Sequence, residues 1–433
     1  PPEKGFDYLE QVINKAIPLM NFSAIDIKAS SIVNAGADIS SELAIALSMG
    51  TEYINQLAER GISPENTSSK IRFTFGIGSN YFPEIAKLRA ARRLWAVVMH
   101  GFVPENRKAS VMEIHSVTAR WNKTIYDSYV NMLRTQTEAM SAVIGGSDSI
   151  TVEPFDTVFR NPDNFSTRIA RNQQLILKEE SYFDMVADPS AGSYYIENLT
   201  SLIADKAWKI FVDIEEHGGF LEALKKGFVQ KIINESADTR KSDVSKRRTI
   251  LLGTNIFPDL NDKIPEGADL RIAFVQHSKG DNLLCEPVFP SRGSEIFERI
   301  RLEVEKARTK PAVFLFTIGD IVMRKARARF TSEFFGCAGY RIIDNPGFKS
   351  VSDGIEAALK TNADIFVLCS SDDEYSGYAP EVFNHLKNKG LFVIAGNPAC
   401  ADVLKATGIE YFISIKSDVG ATLQMFNKLL GIS

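Results

Sequence analysis

His115 is the residue best placed for chemistry. It stands near the carboxyl end of a β-like run, residues 111–117. Barrel enzymes carry their chemistry at such strand ends. A neutral imidazole there could hydrogen-bond a substrate carbonyl, although a lone histidine is more often a satisfied, half-buried one. Gly76-Ile77-Gly78-Ser79-Asn80 follows another strand-like run. Two glycines in that place can cradle phosphate and more often make a tight turn. His100, His217, His277 and His385 have no spaced partners, so no metal site is expected. Cys285, Cys337, Cys369 and Cys400 are scattered without a CxxC pair. That argues against a zinc site or disulfide framework and suits reduced thiols in the cytoplasm.

The elements that must position these residues alternate β and α. Over residues 1–240 the strand candidates are 24–27, 72–77, 111–117 and 149–152. Between them, residues 83–99 carry Ile85, Leu88, Leu94, Trp95 and Val98 on one helical stripe, with Pro83 in the first turn. A second helix is expected over 125–143, stopped by Gly145-Gly146. This alternation implies a parallel sheet or barrel. Residues 241–310 read as an interdomain linker. Its basic opening, Arg240 to Arg248, is expected to be solvated. Residues 311–433 hold five further strand candidates, 312–316, 340–343, 365–369, 391–395 and 411–414. Five strands with crossovers predict a doubly wound, flavodoxin-like domain of order 2-1-3-4-5, whose ligands bind beyond the strands' carboxyl ends.

Bulk properties exclude little else. The chain has 433 residues, 44% of them hydrophobic and 24% charged, with a net charge of −4. Nothing points to nucleic acid or an acidic membrane surface, and no apolar run approaches the roughly 20 residues that span a bilayer.

Several longer runs carry a family resemblance. They are Asn34-Ala35-Gly36-Ala37-Asp38, Phe75 to Phe82, Glu84 to Arg92, His115-Ser116 with Thr118 and Trp121, Ser166 to Asn172, and Ala187 to Ser193. Together they resemble methylmalonyl-CoA mutases, and among these the small, or β, subunits. The resemblance implies a TIM barrel that holds acyl-CoA along its axis and a C-terminal cobalamin-binding-type domain. It implies a radical interconversion of succinyl-CoA and (R)-methylmalonyl-CoA. It also implies that residue 1 falls partway round the barrel, leaving about four to six of the eight strands.

The same resemblance exposes departures. The family's cobalt-ligand motif, Asp-x-His-x-x-Gly, would fall in the turn after 312–316, where Val322, Arg324 and Arg327 stand instead. Arginine offers no lone pair to a metal. From the loop alone, a turn that never bound cobalt and one that lost its ligand are both open. The next turn, Ser370-Ser371-Asp372-Asp373-Glu374, is acidic and reads as a solvated loop; Ala395-Gly396-Asn397-Pro398 keeps one glycine of a possible pair. Catalytic subunits carry His-Ser/Cys-Gln-Thr-Ser-Gly-Trp; this chain keeps His115 but has Val117 for Gln and Arg120 for Gly. The family's Ser-Leu-His-Thr-Asn reads Ser149-Ile150-Thr151-Val152-Glu153. A non-catalytic subunit is therefore expected, with His115 vestigial and no cofactor of its own. Adenosylcobalamin would lie in a homologous catalytic large subunit that completes a heterodimer, and acyl-CoA remains possible in the complex. The alternatives are an active mutase with a displaced ligand set, and a regulatory or CoA-binding module.

Overall fold

The computed structural model describes residues 2–275 and 283–432. The chain divides into two compact α/β units. Residues 241–310 are shared between them: 241–266 join the second unit, 267–293 the first, and the helix Glu295–Lys306 the second. No helix among the described residues is long and apolar enough to cross a membrane.

The first unit is built on four parallel strands in the order β1-β2-β3-β4: β1 (Ile25–Ile27), β2 (Ile71–Ile77), β3 (Glu113–Thr118) and β4 (Ser149–Thr151). Strand residues alternate faces. Ile25, Ile27, Ile71, Phe73, Phe75 and Ile114 pack into a core with Leu43, Leu47, Leu88 and Trp95 of the covering helices. Phe73 meets Trp95 edge-on, with ring centroids 4.9 Å apart. The helix Ile39–Ala58 starts where the Asp38 carboxylate accepts the Ser41 N–H at 2.7 Å. The helix Tyr81–Phe102 encloses the expected span and places Pro83 in its first turn. The helix expected from residue 125 begins at Val130. Asp127 interrupts it: its φ of 49° is left-handed, and its N–H donates to Asp262.

A buried ion cluster ties this unit together. The wholly buried Lys87 ammonium lies 2.7 Å from Glu42 and 2.6 Å from Glu84, and donates to the Gly76 carbonyl. Burial pushes the Glu42 carboxyl up to about 7, with the Lys87 charge opposing and Glu84 adding to the rise.

The second unit is a five-stranded, all-parallel sheet: β5 (Ala312–Thr317), β6 (Arg341–Ile343), β7 (Ile365–Cys369), β8 (Leu391–Ala395) and β9 (Tyr411–Ile413). Its order, β6-β5-β7-β8-β9, is the 2-1-3-4-5 sequence expected. β5 and β7 are buried throughout, as strands covered on both faces must be. One face packs Phe314, Phe316, Phe366 and Leu368 against Ile355, Tyr375 and Ala379. On the other side, Phe335 packs on Phe426 at 5.4 Å.

The basic run from Arg240 is not simply solvated. Within the first unit, Arg240 lies 3.7 Å over the Trp121 ring and donates to the Ala37 carbonyl. Within the second, Arg247 donates to the Glu333 carbonyl. The Arg240 guanidinium thus covers an apolar ring as well as carrying charge.

Lys87→Met should destabilise the protein by about 3–5 kcal/mol, because it strips the shared cation from two buried carboxylates. Urea unfolding followed by circular dichroism measures this; a loss under about 1 kcal/mol would show that the cluster is incidental.

Candidate functional site

The polar face of the first sheet lines a cavity of about 760 Å³. Strand register decides who meets whom. Asp26 lies beside Arg72, Thr74 beside His115, His115 beside Ser149, and Val117 beside Thr151. Thr74 donates to Asp26 at 2.5 Å, and Arg72 reaches Asp26 only at 3.8 Å. His115 Nδ1 is 2.7 Å from the Ser149 hydroxyl and Nε2 is 3.1 Å from that of Thr151. Burial, then the Arg72 charge, hold this imidazole below its usual pKa, against Asp26 and Glu113. It is therefore neutral at pH 7, with one donor and one acceptor nitrogen. Both nitrogens are engaged by hydroxyls of β4, so the hydrogen bond to a substrate carbonyl has no free partner on this ring. Arg120, also on the cavity wall, places Nη2 at 3.0 and 2.9 Å from the two Glu153 oxygens. Its backbone N–H donates to Asn34 Oδ1, which explains the asparagine of that motif.

Gly76 and Gly78 are not a phosphate cradle. The Gly76 N–H donates to Glu42 at 2.7 Å and the Gly78 N–H to Glu84 at 2.9 Å. The glycines serve packing instead: a Cβ on Gly76 would overlap Val33. The other histidines stand apart. His217 stacks on Phe228, His385 bonds the Glu381 carbonyl, and His277 lies outside the described residues. Asp26, Arg72 and Thr74 were missed by sequence reasoning. The signal was there, in polar residues alternating with Ile25, Ile27, Ile71, Phe73 and Phe75.

In the second unit the residues of interest cluster beyond the strands' carboxyl ends. Asp320 caps the helix Ile321–Gly336 by accepting the Met323 N–H. Val322 is 73% exposed and makes no part of the site. Arg324 donates to the carbonyls of Gly319 and Pro346, and a Cβ on Gly347 would strike its guanidinium. Arg327 pairs with Asp372 at 2.9 Å. The acidic turn is exposed at Asp372 and Asp373, as expected, but Glu374 turns inward. Glu374 Oε2 accepts from the hydroxyls of Ser370 and Ser371, both at 2.7 Å, and from the N–H groups of Ser371 and Asp320. Burial opposes ionisation, but these hydrogen bonds outweigh it and hold the carboxyl near a pKa of about 2. Tyr375 links the next turn, donating to the Ala395 carbonyl at 2.7 Å.

Residues 1–280 match the family model described as methylmalonyl-CoA mutase. The chain belongs to the methylmalonyl-CoA mutase family. Within it, the chain is 49% identical to a methylmalonyl-CoA mutase small subunit of Porphyromonas gingivalis, over 97% of this chain and 68% of that protein. It is 33% identical to a small subunit of Streptomyces virginiae, over 88% of this chain and 61% of that one. A methylmalonyl-CoA mutase of Rhizobium meliloti is 38% identical over 59% of this chain and 36% of its own length. The two small subunits thus match along both units.

Two outcomes follow from the geometry. The His115 ring should titrate below its usual value near 6.5, read from its imidazole proton shifts by NMR; a midpoint above 7 would contradict the neutral ring. Glu374, whose folded pKa lies below its unfolded one, contributes stability above about pH 4.5 that is lost as pH falls through about 2. The stability gap between the native chain and Glu374→Gln should therefore shrink on acidification from pH 5 towards 2. A gap constant across that range would mean that the charge contributes nothing.

Proposed function

We propose that this chain is the non-catalytic small subunit of a methylmalonyl-CoA mutase. In this reading its first unit is part of the family's TIM barrel and its second a flavodoxin-like domain of the cobalamin-binding type. A homologous large subunit binds adenosylcobalamin and interconverts succinyl-CoA and (R)-methylmalonyl-CoA, and the two chains form a heterodimer. The four cysteines are free thiols, which suits a cytoplasmic complex.

The observation that carries the reading lies beyond β5. The residues standing at the cobalt-ligand positions have structural partners: Arg324 spans two carbonyls and Arg327 is paired with Asp372. Neither guanidinium can ligate cobalt. These residues do not fit cobalamin. The state of His115 supports the same reading, since its two nitrogens serve Ser149 and Thr151.

Co-expression with the large subunit, followed by size-exclusion chromatography with light scattering, tests the assembly. A 1:1 complex is expected, and separate elution of the two chains would overturn the proposal. Restoring the motif alone should not restore binding. The variant Val322→Asp/Arg324→His/Arg327→Gly is expected to leave the visible spectrum of added cobalamin unchanged, because Glu374 still bridges the turns after β5 and β7. A base-off spectrum in that variant would show that the first loop was the whole defect.

A further inference from the structure

In a doubly wound sheet, ligands settle where neighbouring strands send their chains to opposite faces, because the loops part there and leave a crevice. In the second unit this place lies between β5 and β7. The helix after β7, Tyr375–Leu386, packs in the core that holds Phe314, Phe316 and Phe366. The helix after β5, Ile321–Gly336, carries Phe335 against Phe426 on the other side.

The crevice is lined by donors. The Ser370 hydroxyl is fully buried, Ser371 offers a hydroxyl and an N–H, and Asp320 offers its N–H. Four convergent donors with no acceptor of their own form an anion-binding concavity. Its occupant is the Glu374 carboxylate, which is met here by hydroxyl and N–H donors. The nearby Arg327 is engaged by Asp372. Space has been made for it: Gly319, at φ 83°, leaves no room for a Cβ, which would overlap both Glu374 Oε2 and Ser370 Oγ.

We propose that the turns after β5 and β7 form an anion nest already filled by Glu374, so that the ligand end of this sheet is closed by the chain's own side chain. The nest takes a small oxyanion when that side chain is removed. Inorganic phosphate is the natural probe, since its oxygens can accept from the same hydroxyls and N–H groups. The inference rests on this geometry alone and stands whether or not the chain is catalytic.

The test compares melting temperatures in phosphate and in chloride at equal ionic strength. The native chain should gain only the general salting-out rise that phosphate gives a folded protein over chloride. Glu374→Ala should melt several degrees lower in chloride and recover in phosphate, with a rise that grows with phosphate concentration as binding to the folded state requires. Glu374→Gln, whose amide still fills the nest, should show no phosphate-specific rise, and Ser370→Ala/Glu374→Ala should lose the recovery. If Glu374→Ala does not fold in chloride, its soluble yield after refolding with and without phosphate gives the same reading. The proposal is overturned if Glu374→Ala is as stable as the native chain, if phosphate fails to rescue it, or if phosphate stabilises the native chain equally.

Discussion

A backbone N–H at the end of a buried strand must find an acceptor, and at these sites the acceptors are the chain's own carboxylates. An unmet donor there would cost about 1–3 kcal/mol. At the end of β2, Glu42 takes the Gly76 N–H and Glu84 takes that of Gly78. Beyond β5 and β7, Glu374 takes those of Asp320 and Ser371. Loops of this kind bind phosphates and cofactors when their donors are free. Here the same donors hold the fold together. The two units reach this result separately, one with a lysine shared between two glutamates, the other with hydroxyls around one.

This arrangement gives the departures from the family pattern a physical meaning. Replacing a metal-ligating histidine by arginine would leave a large cation needing partners. Arg324 finds two carbonyls and Arg327 finds Asp372. A cavity persists in the first unit, yet on its wall Thr74 of β2 is bonded to Asp26 of β1, and His115 of β3 to Ser149 and Thr151 of β4. Internal pairing at both places keeps the fold stable where bare buried polar groups would not.

Much of this was legible in the sequence. β7 and β8 begin and end where continuous apolar runs place them, and the order of the second sheet follows from five such runs with crossovers. The motifs around Asn34, Gly76 and His115 led to the family directly. What escaped was pairing across sequence distance. Glu374 meets Asp320 from 54 residues away, and Glu42 meets Gly76 from 34. An acidic turn and a solvated turn look alike until the fold brings donors to one of them. Likewise, the helix expected from residue 125 depends on Asp127, whose left-handed backbone is supported by Asp262. No local propensity records such a partner.

If the chain's own side chains close the ligand end of the second sheet, the chain takes up no cobalamin. Isothermal titration of adenosylcobalamin into the purified chain tests it most directly, with the visible spectrum of the mixture recorded alongside. No saturable heat and the spectrum of the free cofactor are expected. Saturable binding at micromolar concentration, with a base-off spectrum, would contradict that closure.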